Sequence, residues 1–251
     1  MPARTESVWT STRAAVRRRP TTAFFVAAFV LTWIVWLPRA LVSQGVLDAP
    51  WVVELGATWA YGPAAAALLV AALTGRNAVR DLGRRLIRWR VPLRWYVVVL
   101  FGPAAFWAVV LVVVGVLGLL GIPYDGGPAP QPPLAELGVS ALPLLAVLVV
   151  TDGLGEETGW RGFALPRLLR RLPPFTASVL LGVVWAGWHL PLLWTDGAML
   201  GGASPWILLL ELPARSVVFT AIFRATGGST LLAVLLHAAM SVSTVTAAVA
   251  S

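Results

Sequence analysis

The sequence has no cysteine and no lysine, and only 12% of its 251 residues are charged. The absence of cysteine excludes disulfides, thiolate metal ligands and cysteine nucleophiles. Hydrophobic residues make up 58% of the chain, more apolar surface than a water-soluble domain can bury. No polar block is long enough for a separate soluble domain, so we expect one membrane-embedded domain over residues 1–251.

Seven apolar runs approach the roughly 20 residues that a helix needs to cross a bilayer. They cover residues 21–42, 51–73, 95–121, 137–151, 173–195, 205–223 and 229–250. Lipid-exposed backbone must satisfy its own hydrogen bonds, and no run shows the alternation of a barrel strand. The sequence therefore predicts an all-α fold, a polytopic membrane bundle of about seven transmembrane helices.

The arginines alternate with these runs. Arginines are frequent in the N-terminal segment 1–20, in 76–94 and in 161–171, whereas 122–133 and 196–204 have none; Arg39 is a nearby exception. The positive-inside rule places the basic connections and the N-terminus in the cytoplasm. We therefore expect an integral protein of the prokaryotic cell membrane, and we do not expect nucleic acid as a partner.

The stretch from Arg76 to Arg94 has two equally good interpretations. Its arginines recur at spacings of four among Leu82, Leu86, Ile87 and Trp89, a pattern typical of an interfacial helix on anionic lipid. The alternative is an ordinary loop that sets the topology. Membrane lipids are partners in either case, and the sequence leaves the oligomeric state open.

Ionisable side chains inside hydrocarbon cost several kcal/mol, so those that persist are candidates for function. The predicted helices contain few: Asp152, Glu156, Glu157, Arg161, His189, Glu211, Arg215 and His237. A lone histidine in an apolar helix is more often a packing residue than a ligand. Two histidines with a carboxylate can hold a divalent metal or polarise a water.

Depth along the helices decides whether these groups meet. If the fourth helix continues to about Pro166, Glu156 lies about 16 Å from the cytoplasmic end, at 1.5 Å per residue. On the same rise, His189 lies about 22 Å and His237 about 16 Å from that side. The three side chains then share one layer. If the helix ends at Thr151, they do not.

Helical phase separates the two adjacent glutamates. Glu157 lies four residues before Arg161 and can pair with it, whereas Glu156 points about 100° away and is free to exchange a proton with a bound water. The alternative is a set of charges solvated at a helix end. Glu211 and Arg215 are also four residues apart, and we interpret them as a structural pair or part of a gate.

Three strings resemble, in order, the motifs of the CPBP intramembrane proteases. They are EETGWR at 156–161, WAGWH at 185–189 and HAAMS at 237–241. The family includes the type II CAAX prenyl endopeptidases and the bacterial Abi and bacteriocin-processing proteins. Its EExxxR motif is matched in full, Trp185 replaces the Phe of FxxxH, and Ser241 replaces the Asn or Asp that follows the last His. The resemblance covers the motif-bearing core, residues 137–244.

The resemblance implies a helical membrane endopeptidase of metallo- or glutamate type that cleaves a membrane-associated peptide. It carries over Glu156 as the residue that activates water, with His189 and His237 as catalytic partners or, together with Glu156, as metal ligands. Zinc is the metal that it favours. Glu157, Arg161 and Ser241 are carried over as supporting residues, and a serine offers a shorter reach and fewer hydrogen bonds than Asn.

Two other classes of function fit the same residues. One is a non-proteolytic membrane protein of the same fold, an immunity or secretion accessory factor, which the departure at Ser241 keeps open. The other is a proton-coupled transporter, since buried Glu and His also form proton relays. The absence of an internal repeat argues against the transporter. Nothing in the sequence identifies the substrate or says whether a prenyl group is needed.

Overall fold

The computed structural model describes residues 2–49, 51–54, 60–121, 137–198 and 200–249, and no strand is found among them. The helices are α1 (Pro2–Arg18), α2 (Pro20–Ser43), α3 (Trp51–Glu54), α4 (Gly62–Thr74), α5 (Arg76–Leu86), α6 (Leu93–Leu119), α7 (Leu137–Leu148), α8 (Leu154–Glu157), α9 (Leu165–Leu168), α10 (Pro174–His189), α11 (Pro205–Ala225) and α12 (Thr230–Val249). The predicted all-α membrane bundle is confirmed. The arginine-free loop 122–133 lies outside the described residues.

Helices α7, α8 and α9 form one continuous rod, which we call the composite helix. Two π-helical segments, Val149–Gly153 and Thr158–Ala164, join them without a break. The helix of the fourth apolar run therefore continues past Thr151 to Leu168. This continuation was needed for Glu156 to lie at the depth of the two histidines. Single π turns inside α-helices occur often at functional sites. Here they flank the short α8, which carries both adjacent glutamates.

Small residues bring the composite helix against the start of α4. A Cβ built on Gly155 would lie 2.6 Å from the backbone oxygen of Ala60, and one on Gly159 would lie 2.5 Å from Cβ of Pro63. Only glycine fits at such distances, and close backbone approach of this kind is typical of helix packing in membranes. The contact fixes where the composite helix, and with it Glu156, stands in the bundle.

The other long helices close the bundle around this contact. Helix α10 packs on α11, with Gly182 against the backbone of Pro213, and α12 packs on α6 and on the composite helix. Helix α6 turns large apolar side chains outwards, among them Phe101, Phe106, Val109 and Val112. In a bilayer this face meets lipid.

Four stretches are long and apolar enough to cross a membrane by length and composition: Pro20–Ser43, Leu93–Leu119, Pro174–Trp194 and Pro205–Ala225. Each coincides with a run identified in the sequence. Gly62–Thr74 and Thr230–Ser243 are shorter apolar helices. The second run, 51–73, is not the single helix that its composition predicted, because its described parts are the four-residue α3 and the thirteen-residue α4. The count of seven crossings stays a prediction.

Arginines collect where α1, α4 and α5 meet. Arg13 and Arg17 each direct Nε at the carbonyl oxygen of Leu73, at 3.4 and 3.3 Å, and so satisfy the end of α4. Gly75, with φ of 137°, joins α4 to α5 there. Helix α5 buries Leu82, exposes Arg76, Arg80 and Arg84, and leaves Arg85 half-buried, the pattern of an interfacial helix.

Candidate functional site

Glu156, His189 and His237 converge from three helices. Oε1 of Glu156 lies 3.9 Å from Nε2 of His189 and 3.9 Å from Nε2 of His237. The Glu156 side chain is 6% exposed, and the two imidazoles are 12% and 11% exposed. These separations exceed a direct hydrogen bond and suit three groups that share one small bound species. The predicted layer is therefore present.

The other carboxylate oxygen of Glu156 is held by two indoles. Nε1 of Trp185 donates to Oε2 at 2.5 Å, and Nε1 of Trp160 donates to the same atom at 3.4 Å. Glu156 is therefore not an isolated buried carboxyl group. Its two oxygens have different surroundings, since Oε2 accepts from the protein and Oε1 faces the imidazoles.

Each imidazole is oriented through its Nδ1 atom. Nδ1 of His189 lies 2.9 Å from the carbonyl oxygen of Trp185, and Nδ1 of His237 lies 2.9 Å from Oε1 of Glu157. A carbonyl or a carboxylate can only accept, so we assign a proton to Nδ1 in both rings. A neutral ring then presents the lone pair of Nε2 to Glu156, an orientation that supporting hydrogen bonds commonly fix in metal-binding histidines.

Glu157 and Arg161 form the predicted ion pair. Nη1 of Arg161 lies 2.8 Å from Oε1 of Glu157, and both side chains are fully buried. The guanidinium also lies over two aromatic rings, 4.5 Å from the centroid of Trp185 and 4.1 Å from that of Phe219. Burying one charge of this pair alone costs several kcal/mol. Loss of either partner would therefore destabilise the fold behind the site, and Glu157 also holds His237.

Ser241 and the pair Glu211–Arg215 occupy different places. Ser241 is buried one turn beyond His237 on α12, and its hydroxyl makes no hydrogen bond to the two glutamates or the two histidines within the described part of the chain. Arg215 and Glu211 form an ion pair on α11, with side chains 28% and 41% exposed. They are partners of each other, which fits both a structural pair and part of a gate.

The two imidazoles and the carboxylate are suitable ligand types for a divalent metal, but they lie farther apart than metal ligands do. Imidazole nitrogens and a carboxylate oxygen are ordinary zinc ligands, and tetrahedral geometry at about 2.1 Å places such ligands roughly 3.4 Å apart. The observed separations of 3.9 Å are wider. Within the described residues, no group of three or more acidic, histidine or cysteine side chains is arranged closely enough to hold an ion. Metal binding stays a prediction.

Sequence reasoning missed three contacts that shape the site. They are the hydrogen bonds from the indoles of Trp160 and Trp185 to Glu156 and the contact of Glu157 with His237. The spacing held a signal for both indoles. Trp160 lies four residues after Glu156, and Trp185 lies four residues before His189, so each shares a helix face with a site residue.

Comparison with known proteins points to the same part of the chain. The sequence profile described as type II CAAX prenyl endopeptidase Rce1-like matches residues 138–243, which include all three motifs. A curated relative, CAAX prenyl protease 2 of Methanococcus maripaludis, is 28% identical over 193 residues. That similarity covers 70% of this chain and 63% of the relative, so the chain spans less than two thirds of the relative's length.

Proposed function

Since residues 138–243 match the family model of type II CAAX prenyl endopeptidases, we propose that this chain is a CPBP intramembrane endopeptidase in which Glu156 activates water beside His189 and His237. The observation that carries the proposal is the equal distance of 3.9 Å from Oε1 of Glu156 to Nε2 of each histidine. A water held among these atoms loses a proton to Oε1 as its oxygen attacks the scissile carbonyl. The same carboxyl then returns the proton to the leaving amine.

The oxyanion of the tetrahedral intermediate needs a positive group beside it. His237 suits this role, because the carboxylate of Glu157 lies behind its Nδ1 and stabilises the ring when it is charged. His189, whose Nδ1 faces a carbonyl, suits the neutral form and accepts a hydrogen bond from the water.

As the alternative to this metal-free site, we propose a divalent metal as cofactor, with zinc the best fit to the donor types. In that case His237 would be neutral, and Oε1 of Glu156 would be a ligand instead of the base. Nε2 of His189, Nε2 of His237 and Oε1 of Glu156 would hold it, after an inward shift of about half an ångström. Such an ion would polarise the scissile carbonyl and make a bound water more acidic.

The substrate that we propose is a membrane-associated peptide, either a CAAX-like prenylated terminus or a leader peptide, and the location is the prokaryotic cell membrane. The partly exposed imidazoles, 12% and 11%, give such a peptide access to an otherwise buried site. Apolar substrate chemistry fits a site that lies among apolar helices.

The test is cleavage of a panel of membrane peptides, prenylated and unprenylated, by the purified chain in detergent and in lipid nanodiscs. We expect wild type to cleave at least one class and Glu156→Gln to cleave none. The matched control is Glu211→Gln, which neutralises a glutamate of α11 outside the site and should retain activity. Equal activity of wild type and Glu156→Gln would contradict the assignment. A folded wild type that cleaves no peptide would favour the non-proteolytic accessory protein.

A further inference from the structure

Four arginines lie near one another around the ends of α5 and α9. They are Arg85, Arg88, Arg167 and Arg170, and we call them the arginine cluster. Two of them lie against consecutive residues of the turn between α11 and α12. Nη1 of Arg85 lies 2.9 Å from the position of a Cβ on Gly228, and Nη1 of Arg88 lies 2.7 Å from that on Gly227. Both glycines have positive φ, so the turn leaves the guanidinium groups room that a side chain would fill.

The cluster is held from both sides. The Oγ of Ser229 donates to the carbonyl oxygen of Arg88 at 2.7 Å, and the guanidinium of Arg85 lies 5.9 Å from the ring centroid of Phe223. On α9, Nη1 of Arg167 donates to the carbonyl oxygen of Phe163 at 2.8 Å. These contacts fix the arginines without neutralising them.

Positive charge in the cluster is in excess. Burial lowers the pKa of Arg85, Asp81 opposes this, and the guanidinium groups of Arg88 and Arg170 lower that pKa further. Arg170 and Arg85 lie close enough to Arg167 for their positive charges to act on it. The acid that acts on both, Asp81, already pairs with Arg84 at 3.4 Å.

Within the described residues, none of the four guanidinium groups has a carboxylate at ion-pair distance. Guanidinium groups in such surroundings favour a multivalent oxyanion, above all a phosphate. The exposed apolar residues beside the cluster indicate whether that phosphate belongs to a lipid or to a soluble molecule. Ile87, Trp89 and Leu93 are 72%, 60% and 77% exposed, which suits insertion among lipid tails. We propose that the arginine cluster binds the phosphate group of an anionic phospholipid.

The experiment measures phospholipid retained by the full chain in native mass spectrometry, after mixing in detergent with phosphatidylglycerol or phosphatidylcholine. We expect retention of phosphatidylglycerol by wild type, and a loss of about 25-fold in affinity in the double variant Arg85→Gln/Arg167→Gln, a factor of about five per arginine. The matched control is Arg76→Gln/Arg80→Gln, which removes the same charge from the other end of α5 and should change little.

Two outcomes would contradict the proposed lipid site, and a third would change the identity of its ligand. Equal loss in both double variants would reduce the effect to net charge, and equal retention of phosphatidylcholine would remove anion selectivity. A third arm adds inorganic phosphate. If phosphate displaces the lipid at low millimolar concentration and binds wild type alone as tightly, a soluble phosphate replaces the lipid as the ligand.

A different observation concerns Trp185, which lies next to the carboxylate and both imidazoles of the site. Its indole donates to Oε2 of Glu156 at 2.5 Å, and its carbonyl oxygen accepts from Nδ1 of His189 at 2.9 Å. Its ring centroid lies 4.5 Å from Cζ of Arg161 and 5.9 Å from the ring centroid of His237. The residue is 3% exposed.

We infer that Trp185 is a positioning residue for Glu156, an inference that rests on the proposed function. The indole hydrogen bond to Oε2 holds the carboxylate so that the free Oε1 faces both imidazoles. The phenyl ring that the family motif carries at this position has no donor, so this chain holds its glutamate by a bond that a phenylalanine cannot make.

Trp185→Phe removes the donor and keeps an aromatic ring over Arg161. We expect kcat to fall about 10- to 100-fold with KM within about twofold, the loss expected for one hydrogen bond to a charged group. The matched control is Trp188→Phe, whose buried indole instead donates to Oγ1 of Thr32 at 2.9 Å. It should leave kcat unchanged.

An infrared readout separates the positioning role from the proposed reaction. With ¹³C-labelled glutamate, Trp185→Phe should shift the carboxylate band of Glu156, and the shift should vanish in a Glu156→Gln background. If the band shifts but wild type cleaves no peptide, Trp185 positions Glu156 and the proposal of an endopeptidase is wrong. An unshifted band with unchanged kcat would refute the role of Trp185.

Discussion

Nδ1 of His237 lies 2.9 Å from Oε1 of Glu157, the same carboxylate atom that pairs with Arg161. A buried ion pair on the composite helix therefore also orients an imidazole on α12. The two adjacent glutamates have different positions. Glu156 faces the candidate site directly, and Glu157 lies behind His237. Substitutions at the two positions should consequently differ in kind.

Glu157→Gln should lower both the melting temperature and the activity. It leaves Arg161 buried without a charge partner, a loss of about 3 to 5 kcal/mol, and weakens the hold on His237. Glu156→Gln should leave the melting temperature within a few degrees of wild type, because the amide oxygen can still accept from the indoles, and should abolish cleavage. Thermal unfolding in detergent and peptide turnover are the measurements. Reversed stability losses would refute the assignment of roles.

The predicted sidedness can be tested in a chain without native cysteines. Gly201 is a poor site for a reporter cysteine, because a Cβ there would lie 2.8 Å from the carbonyl oxygen of Thr195. Asp196→Cys, at an exposed position, should react with an impermeant thiol reagent in intact cells. Asn77→Cys on α5 should react only after permeabilisation. Labelling of the α5 cysteine from outside would invert or break the predicted topology.

Ser241 shares a helix face with His237, and we expect its hydroxyl to reach the bound substrate or water when the site is engaged. Ser241→Val should reduce turnover by about a hundredfold to a thousandfold if that hydroxyl donates to developing charge. Ser241→Asn lengthens the polar reach and should maintain or raise turnover. Peptide cleavage by the three purified proteins decides, and an unchanged rate in Ser241→Val removes this residue from the chemistry.

Metal content gives a prediction that does not depend on finding the substrate. The purified chain should contain about one zinc ion, by the ligand chemistry of two imidazoles and a carboxylate. His189→Ala and His237→Ala should each lower the bound metal at least tenfold, while Glu211→Gln should not. Elemental analysis by plasma mass spectrometry is the measurement. Full cleavage by a metal-free protein would assign the chemistry to Glu156 and the imidazoles alone.

The sequence was most informative where a helix repeats a fixed rise. A constant advance per residue let the depths of Glu156, His189 and His237 be compared before any packing was known, and the three side chains meet. The pairing of Glu157 with Arg161 followed from the same regularity.

Features that depend on contacts between distant segments could not be read in this way. Nothing in the run 51–73 announces that α4 begins only at Gly62, because composition records apolar length and not continuity. The π-helical turns beside α8 and the indole bond from Trp185 to Glu156 arise when segments far apart in sequence pack together.

The absence of side chains at Gly155 and Gly159 bears on how this protein can change. A single methyl group at Gly159 would collide with Pro63 at 2.5 Å and displace the rod that carries Glu156. The distances within the site thus depend on two glycines that have no side chain as much as on the carboxylates and imidazoles. The contact with α4 therefore admits almost no variation, and a substitution there should abolish the proposed activity although every residue of the candidate site is unchanged.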